Sequence, residues 1–279
     1  MPELPEVETI ARYLRDGKDG KPLVGQTIQS AEVLWEKSVA QPDPGEFQLR
    51  VSGQEVRGIG RRAKFLILHL EKDHLLFHLR MSGDLRMESE KDEEGNTRPF
   101  AAHDRLVFHL LDGGRLVFND PRKFGRAWLV EDTSTVFSGL GPEPLADNFS
   151  AQDLYKLLQA HHRQLKPLLL DQKFIAGLGN IYTDEALHLA RLHPNQISSG
   201  VSLKGAENLW YAIRTVLLEG IRRNGASIDW VYRGGDFQNS FRVYQRTGLP
   251  CPVCGTAIVR KMVGQRGTHY CPVCQPVPD

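Results

Sequence analysis

Cysteine and long apolar runs are the features that this chain has least of. Only 4 of its 279 residues are Cys, and all of them fall between residues 251 and 274, which excludes a disulfide-stapled secreted scaffold. The segment 1–6 lacks the basic and apolar regions of a signal peptide, and no stretch of about 18 apolar residues follows that could span a bilayer. We therefore expect a cytoplasmic protein that does not use a membrane.

Charge of one sign is also scarce over the whole chain, since 35 Lys and Arg residues stand against 34 Asp and Glu residues. The two halves nevertheless differ. Residues 1–150 carry 20 basic and 25 acidic side chains, a balance of −5, whereas residues 151–279 carry 15 and 9, a balance of +6. The second half is therefore the candidate for contact with a phosphate-rich partner.

The first half of the chain predicts one helix followed by strands. Val7, Ile10 and Leu14 recur at helical spacing and predict an N-terminal helix. Strand patterns and turn residues predict β-strands at 27–34, 54–59, 64–70, 74–80, 105–111, 115–119 and 126–130. The Pro-rich and Gly-rich stretch 41–45 and the acidic stretch 88–95 are predicted to be surface loops. We therefore expect a first domain that is mostly antiparallel β.

The second half predicts helices. Gly and Pro cluster at residues 139–144, where we place a linker between domains. Beyond it, Ser150 is a predicted N-cap, and helical patterns recur near 166–172, 180–192 and 203–223. The predicted fold class is α+β.

The cysteines form the strongest local pattern. Cys251-x-x-Cys254 is followed, after the intervening residues 255–270, by Cys271-x-x-Cys274. Four thiolates in this spacing predict one tetrahedral zinc site that is structural, because four Cys ligands leave no open position for a reacting water. His269 is an alternative ligand in place of one Cys, although a position beside the metal fits it better.

Two further segments suit the binding of phosphates. Arg266 lies between two glycines in the segment 264–268, and an Arg at a rigid loop tip can contact a phosphate with two hydrogen bonds. Gly179-Asn180 opens a predicted helix, whose first backbone N–H groups attract anions. A solvated loop Arg and an ordinary helix cap explain the two segments equally well.

The extreme N-terminus contains a candidate nucleophile. If Met1 is removed, as is usual before a small residue, Pro2 carries a free secondary amine. An α-amino group is less basic than a Lys side chain, so more of it is unprotonated at neutral pH, and its adduct with a sugar carbon can become a cationic iminium. Glu3 and Glu6 are near enough in sequence to move protons. A helix start explains the same residues, with Pro5 in the first turn.

Two loops carry residues that can enter a base stack. His78 to Gly83 ends a predicted strand and includes Met81, while Asn119 to Gly125 combines Arg122 with Phe124. Apolar or planar side chains at loop tips can fill the gap that an extruded nucleotide leaves. Met81 and Phe124, taken singly, are more often part of a core, and only their combination with Arg122 favours this role.

Taken together, these motifs resemble bacterial formamidopyrimidine-DNA glycosylase, and the resemblance runs from Pro2 to Cys274. It is carried by residues 1–9, 61–64, 78–82, 120–125 and 177–182 and by the four cysteines, in the family's order. The resemblance implies a catalytic β-sandwich with an N-terminal helix at 1–138, a linker at 139–149, a helix-two-turns-helix domain at 150–244 and a zinc finger β-hairpin at 245–279. It also implies a monomer with one structural Zn²⁺ that binds damaged or abasic duplex DNA in the cleft between its domains.

The implied activity is removal of oxidised purines from DNA followed by strand cleavage. The amine of Pro2 would displace the base, and the iminium would lose both flanking phosphates by β- and δ-elimination. The resemblance gives Glu3 the role of general acid and base and Glu6 that of a supporting carboxylate. The other implied site residues are Lys64, Asn180, Tyr244 and Arg266 around the phosphates, Lys166 as a further basic site residue, His78 at the end of its strand, and Met81, Arg122 and Phe124 in the vacated stack.

Two alternatives remain open. An endonuclease VIII-like glycosylase uses the same chemistry on oxidised pyrimidines, although its members usually differ at the position of Leu4. The stretch from Gly225 to Phe241, which often covers the flipped purine in the family, is a few residues shorter here, so the lesion preference stays undecided. A non-catalytic zinc protein that binds damaged DNA would need Arg266 and the cysteines but not Pro2 together with Glu3.

Overall fold

The computed structural model describes residues 1–18, 21–227 and 234–277. The chain divides into two compact units. The N-terminal unit consists of Met1–Glu3 and Val7–Ser138, and the C-terminal unit consists of Leu4–Glu6 and Gly139–Asp279. Helix α1, Leu4–Asp16, is the predicted N-terminal helix. Its residues Val7, Ile10 and Leu14 are at most 2% exposed, which is why the sequence shows a helical period.

The N-terminal unit contains two β-sheets that pack face to face. Its strands are β1 (Ile28–Val33), β2 (Val39–Gln41), β3 (Val56–Arg62), β4 (Phe65–Leu70), β5 (His74–His78), β6 (Asp84–Ser89), β7 (Asp104–Leu110), β8 (Gly114–Asn119) and β9 (Arg126–Val130). One sheet has the order β1-β7-β8-β6 and the other the order β2-β9-β5-β4-β3. The Phe77 ring centroid lies 6.0 Å from that of Phe108 and 5.5 Å from that of Phe118, across the two sheets. The predicted β-sandwich is confirmed.

The prediction that residues 41–45 form a surface loop is wrong. Gln41 ends β2, which pairs in parallel with β9, and Pro44 begins helix α2, Pro44–Val51. The Asp43 carboxylate accepts hydrogen bonds from the N–H groups of Gly45 and Glu46 at 3.0 and 3.1 Å. Asp at an N-cap and Pro in the first turn are helix-start signals, and the Gly and Pro content concealed them.

The acidic loop also begins later than predicted. Glu88 and Ser89 belong to β6, a strand that the sequence analysis does not predict. The Glu88 carboxylate is paired with Arg115, whose side chain is 1% exposed, at 2.5 Å. An acidic side chain that neutralises a buried Arg looks, in the sequence alone, like part of a solvated run.

The C-terminal unit is built from helices around one apolar core. Short helix α3, Ser134–Phe137, precedes it, and α4 (Ala151–Gln159), α5 (Leu165–Leu170), α6 (Asn180–Ala190) and α7 (Leu203–Arg222) follow. Leu154, Leu168 and Leu209 are fully buried members of its core. Ser150 is the predicted N-cap, because its hydroxyl accepts from the backbone N–H of Asp153 at 3.2 Å. The helical prediction for this half is confirmed.

A two-stranded hairpin ends the C-terminal unit. Strands β10 (Val259–Val263) and β11 (Arg266–Tyr270) pair antiparallel, and Gly264 and Gln265 form the turn with φ of 54° and 63°. Two consecutive left-handed residues are the usual turn of a tight hairpin. Within the described ranges, no helix is long and apolar enough to cross a membrane.

Candidate functional site

The first residues of α1 are anchored in the C-terminal unit. Leu4 is fully buried in that unit's core, and its backbone N–H donates to the carbonyl of Gly177 at 3.2 Å. Gly177 has φ of 101°, and a Cβ there would lie 2.7 Å from the Leu4 side chain. The contact therefore requires a glycine, which explains the glycine-containing turn before α6.

Glu6 makes the second anchor. Its Oε1 accepts a hydrogen bond from the Tyr182 hydroxyl at 2.8 Å and another from the Ala226 backbone N–H at 2.8 Å. Gly225, with φ of 81°, leaves room for this carboxylate, because a Cβ there would lie 2.7 Å from Oε1. Glu6 is thus held by two separate parts of the C-terminal unit and is 5% exposed.

Pro2 and Glu3 directly precede these anchors. Both are buried, Glu3 to 2% exposure, whereas Met1 is 49% exposed. The Glu3 carbonyl accepts the backbone N–H of Val7 at 3.1 Å, so Glu3 occupies the N-cap position of α1. The start of α1 therefore holds Pro2 and Glu3 in place, while the residue before them is exposed to solvent.

Lys64 lies in a tight turn instead of at the start of a strand. Ala63, with φ of 54°, and Lys64 connect β3 to β4, where Arg62 pairs with Phe65. Lys64 is only 5% exposed. Beside it, the Arg61 guanidinium donates to Glu8 of α1 at 3.2 Å. The ammonium therefore sits at a rigid and partly desolvated position.

One buried carboxylate ties together the two loops with predicted stack-entering residues. Asp120, 1% exposed, accepts from the Ser82 hydroxyl at 2.5 Å, from the Arg122 N–H at 3.2 Å and from the Gly125 N–H at 2.7 Å. The 119–125 loop is therefore closed around this side chain, and the 78–83 loop is fastened to it. A buried carboxylate that accepts several hydrogen bonds fixes the loops around it, because each donor would otherwise lack a partner.

The predicted stack-entering side chains themselves are exposed. Met81 is 40% exposed and Phe124 is 50% exposed, although both are of types that usually lie in a core. The Arg122 guanidinium lies 5.3 Å from the Phe124 ring centroid. The structure thus gathers all three in the N-terminal unit, on loops that Asp120 holds in place.

His78 offers a neutral donor near the same loops. Burial, together with the positive charges of Arg80 and Lys64, lowers the pKa of His78 to about 3. The Arg80 backbone N–H donates to His78 Nδ1 at 3.0 Å, which leaves the proton on Nε2. At neutral pH this residue can donate a hydrogen bond but carries no charge.

Replacing Asp120 by Ala is expected to destabilise the chain by about 3 kcal/mol, because the Ser82 hydroxyl and two backbone N–H groups lose their buried partner. Denaturant unfolding measures this change, and hydrogen exchange should accelerate at residues 81–83 and 121–125. Asp112→Ala is the matched control, since Asp112 caps an exposed turn at Gly114. Equal losses in the two variants would show that Asp120 does not organise the loops.

Two predicted site residues of the C-terminal unit, Lys166 and Asn180, donate to one carbonyl oxygen. Lys166 Nζ donates to the Gly267 carbonyl at 3.0 Å, and Asn180 Nδ2 donates to the same oxygen at 3.2 Å. Lys166 Nζ also contacts Asp184 Oδ1 at 2.6 Å, with both side chains fully buried. Lys166 is therefore placed as a buried support for the hairpin.

Arg266 stands next to that carbonyl and is exposed. It begins β11 directly after the turn, and the neighbouring Gly267 is the residue that Lys166 and Asn180 hold. Asp184 Oδ2 accepts the backbone N–H of His269 at 2.9 Å, which fixes the same strand from its other end. The tip Arg is thus free to reach outward on a backbone that the helices hold rigidly.

Tyr244 is positioned by Glu185. The Glu185 carboxylate accepts the backbone N–H groups of Arg242, Val243 and Tyr244 at 2.8 to 3.0 Å. Burial raises the pKa of Glu185, while these three donors favour its ionised form. The Tyr244 ring packs edge-on against the His269 ring at 5.0 Å. Tyr244 is therefore held beside the hairpin.

The four cysteines form a site that fits zinc. All four Sγ atoms lie within 4.8 Å of one another, with Cys251 and Cys274 3.8 Å apart and Cys254 and Cys271 3.4 Å apart. Zn–S bonds of about 2.3 Å place the sulfur atoms of a tetrahedron about 3.8 Å apart, whereas a disulfide would need about 2.05 Å. Within the described residues, the side chains grouped closely enough to hold this metal are the four cysteines and not His269, whose Nδ1 contacts Asp184 at 3.3 Å.

The thiols need a cation to ionise together. Hydrogen bonds from Thr256 lower the pKa of Cys254 to about 6, whereas burial raises the pKa of Cys274 to about 12. A bound Zn²⁺ replaces the protons of all four thiols and links the two ends of a hairpin that has little core of its own. The C-terminal segment is therefore a zinc finger with one structural metal.

Removal of zinc from the full chain is expected to expose the hairpin to proteases. Tryptic cleavage after Lys261 should become at least about tenfold faster and return to its original rate when one equivalent of Zn²⁺ is added. Cleavage after Lys204, on helix α7, serves as the internal control. A hairpin that stays equally protected after metal analysis has verified the loss of zinc would contradict a structural role for the metal.

Sequence reasoning missed the carboxylates that position the site. Asp120, Asp184 and Glu185 are each at most 1% exposed and hold segments that carry predicted site residues. Asp184 and Glu185 occur side by side in a helix whose other residues are almost all buried, and this is the one signal that could have identified them. The predicted shortening between Gly225 and Phe241 falls largely on residues 228–233, which lie outside the described residues.

Three family models match consecutive parts of the chain. Residues 1–127 match the formamidopyrimidine-DNA glycosylase N-terminal domain, and residues 140–231 match the formamidopyrimidine-DNA glycosylase H2TH domain. Residues 248–277 match a zinc finger that is found in the same glycosylase and in isoleucyl-tRNA synthetase.

Relatives and solved structures match over nearly the full length. A formamidopyrimidine-DNA glycosylase from Enterococcus faecalis is 44% identical over 99% of this chain and 97% of its own, and one from Pelotomaculum thermopropionicum is 42% identical over 99% and 100%. A structure of MutM with DNA that contains carbocyclic 8-oxo-G has a TM-score of 0.90 at 34% identity over 99% of this chain and 100% of its own. A Lactococcus lactis enzyme with DNA that contains FAPY-dG has a TM-score of 0.89 at 35% identity, with the same coverage.

Proposed function

Because the chain belongs to the formamidopyrimidine-DNA glycosylase family, we propose that it removes oxidised purines from duplex DNA and then cleaves the strand as an abasic-site lyase. The substrates of this proposal are 8-oxoguanine and ring-opened formamidopyrimidines. Two related structures contain DNA with an 8-oxo-G analogue and with FAPY-dG, which supports this substrate class.

The observation that carries the proposal is the anchoring of the N-terminal segment. Leu4 and Glu6 are fixed by Gly177, Tyr182 and Ala226, and this holds the backbone of Pro2 and Glu3 just ahead of them. A helix start needs none of these contacts from a distant part of the chain. A protein that presents its first nitrogen to a reactant needs them, since misplacement of a reacting group by about 1 Å can cost about 10²-fold in rate.

In the proposed reaction the Pro2 nitrogen attacks C1′ of the damaged nucleotide. The new N–C1′ bond replaces the glycosidic bond, and the base leaves with a proton. Protonation of the sugar ring oxygen by Glu3 opens the ring and gives an iminium between Pro2 and C1′. A tertiary ring nitrogen makes this cation without any proton to lose, which is the chemical advantage of proline over a primary amine.

The iminium then acts as an electron sink for strand cleavage. Loss of a C2′ proton expels the 3′-phosphate by β-elimination, and a second elimination expels the 5′-phosphate. Water finally hydrolyses the iminium and regenerates the amine. The pair formed by Pro2 and Glu3 distinguishes this enzyme from a non-catalytic zinc protein that only binds damaged DNA.

The remaining residues of the proposal bind the DNA. Arg266, Asn180 and Lys64 suit phosphates, because they combine donors with rigid backbone positions. Met81, Arg122 and Phe124 suit the gap left by the flipped nucleotide, which costs a few kcal/mol to unstack. In this scheme His78 adds a neutral donor, and Tyr244 lies beside the hairpin that carries Arg266.

A panel of lesions tests the substrate. Single-turnover excision is measured on matched duplexes that contain 8-oxoguanine, formamidopyrimidine-guanine or thymine glycol. The proposal expects both oxidised purines to be excised faster than thymine glycol. Faster release of thymine glycol would instead assign the chain to an endonuclease VIII-like activity, and no release from any duplex would leave a binding protein.

A further inference from the structure

Helix α6 places an imidazole against the zinc finger. His188, in the last turn of α6, is 2% exposed, and its Nε2 lies 3.4 Å from the Sγ of Cys251. Cys251 is itself 3% exposed. Within the described residues, the only backbone group that donates a hydrogen bond to its sulfur is the N–H of Val253, at 3.5 Å. A buried zinc-binding sulfur therefore has a side-chain partner outside the finger.

The chemistry of the sulfur decides the direction of this hydrogen bond. A metal-bound thiolate has no proton, so it can only accept. His188 Nε2 must then carry the hydrogen, and its Nδ1 is the unprotonated nitrogen. Nδ1 is buried and has no hydrogen-bond partner among the described residues, which is consistent with an imidazole whose one proton is committed to the sulfur.

Such a contact has an energetic consequence for the metal. A Cys₄ zinc site carries a formal charge of −2, and a hydrogen bond to one sulfur spreads part of that charge onto a neutral group. Partners that donate to metal ligands orient them and commonly change metal affinity by about 10- to 100-fold. His188 also joins the helices to the finger through a ligand atom, whereas the nearby Gln275 joins them through the backbone of Leu192 and Cys271.

We propose that His188 is a positioning residue for the structural zinc, which donates a hydrogen bond from Nε2 to the Cys251 thiolate and so couples helix α6 to the metal. It does not bind zinc itself. Its function is to hold one ligand in place and to stabilise the charge on that ligand from the helical part of the chain.

The test uses His188→Phe in the full chain, because Phe keeps an aromatic ring of similar size and removes the donor. Two quantities are measured: the zinc dissociation constant, by competition with a chelator of known affinity, and the sulfur-to-cobalt charge-transfer band after replacement of zinc by Co²⁺. We expect zinc affinity to fall by about 10- to 100-fold. We also expect the band to move to longer wavelength, because a thiolate without its hydrogen bond gives up an electron more easily.

Two controls separate this role from simple packing. His161→Phe changes a histidine that packs edge-on against Phe174 at 5.3 Å. Gln275→Leu breaks a contact between the finger and the segment just after α6, and that contact involves no sulfur. Neither should move the cobalt band. Weaker zinc binding without a band shift in His188→Phe would overturn the proposal, and so would wild-type affinity.

Discussion

Substituting Glu3 by Gln is expected to slow release of an oxidised purine by about 10²- to 10⁴-fold, the range of a lost general acid. Gln keeps the size of the side chain but cannot deliver a proton to the sugar ring oxygen. Strand cleavage at a preformed abasic site should fall far less, because that sugar already opens to its aldehyde without help. Single-turnover rates on 8-oxoguanine duplex and on abasic duplex give both numbers.

Glu71→Gln is the matched control, since Glu71 is exposed in the turn after β4 and should leave both rates unchanged. Equal losses on the two substrates would mean that Glu3 serves folding or DNA binding and not proton transfer. Unchanged excision in Glu3→Gln would remove Glu3 from the mechanism altogether.

Substituting Lys166 by Met is expected to lower the free energy of unfolding by about 3 to 5 kcal/mol, the cost of leaving a buried charge without its partner. Asp184 is the charge that remains, and like Lys166 it has no exposed side-chain surface. The Gly267 carbonyl loses a donor at the same time, so the hairpin that carries Arg266 should loosen. Denaturant unfolding of the C-terminal unit measures the first effect, and hydrogen exchange at β11 measures the second.

Arg163→Met provides the comparison. Arg163 pairs with Asp171 at 2.8 Å, but the two side chains are 47% and 31% exposed, so its loss should cost less than about 1 kcal/mol. The salt dependence of DNA binding adds an independent measurement. If Lys166 contacted a phosphate, Lys166→Met would lower the slope of the logarithm of the DNA-binding constant against the logarithm of salt concentration by about one, without destabilising the chain. That result would contradict a buried supporting role.

Local sequence signals predicted the fold well where one segment determines its own structure. The apolar period of α1 and the cap at Ser150 each depend on neighbours in sequence, and each is present. Helix α2 was missed because Pro44 and Gly45 suggest a turn unless Asp43 is recognised as the cap. Strand β6 was missed because the acidic residue Glu88, which suggests a solvated loop, pairs with Arg115, a residue distant in sequence.

The residues of the candidate site also divide into those that local sequence reveals and those whose positions depend on distant parts of the chain. The cysteines could be found from their spacing, and the Pro2-Glu3 pair could be proposed from its chemistry, because the reactivity of both belongs to the residues themselves. The burial of Lys166 could not, since it depends on Asp184 and on a carbonyl about a hundred positions further along the chain. The same holds for Glu6, whose partners lie in α6 and at Ala226.

Reduction of the working enzyme on an 8-oxoguanine duplex with borohydride, followed by peptide mass analysis of the trapped protein, tests the central claim most directly. We expect Met1 to be absent and the sugar remnant to be attached to the nitrogen of Pro2, and Pro2→Gly should greatly reduce the adduct and strand cleavage while DNA is still bound. An adduct on Lys64 or another lysine, or undiminished trapping in Pro2→Gly, would contradict the account.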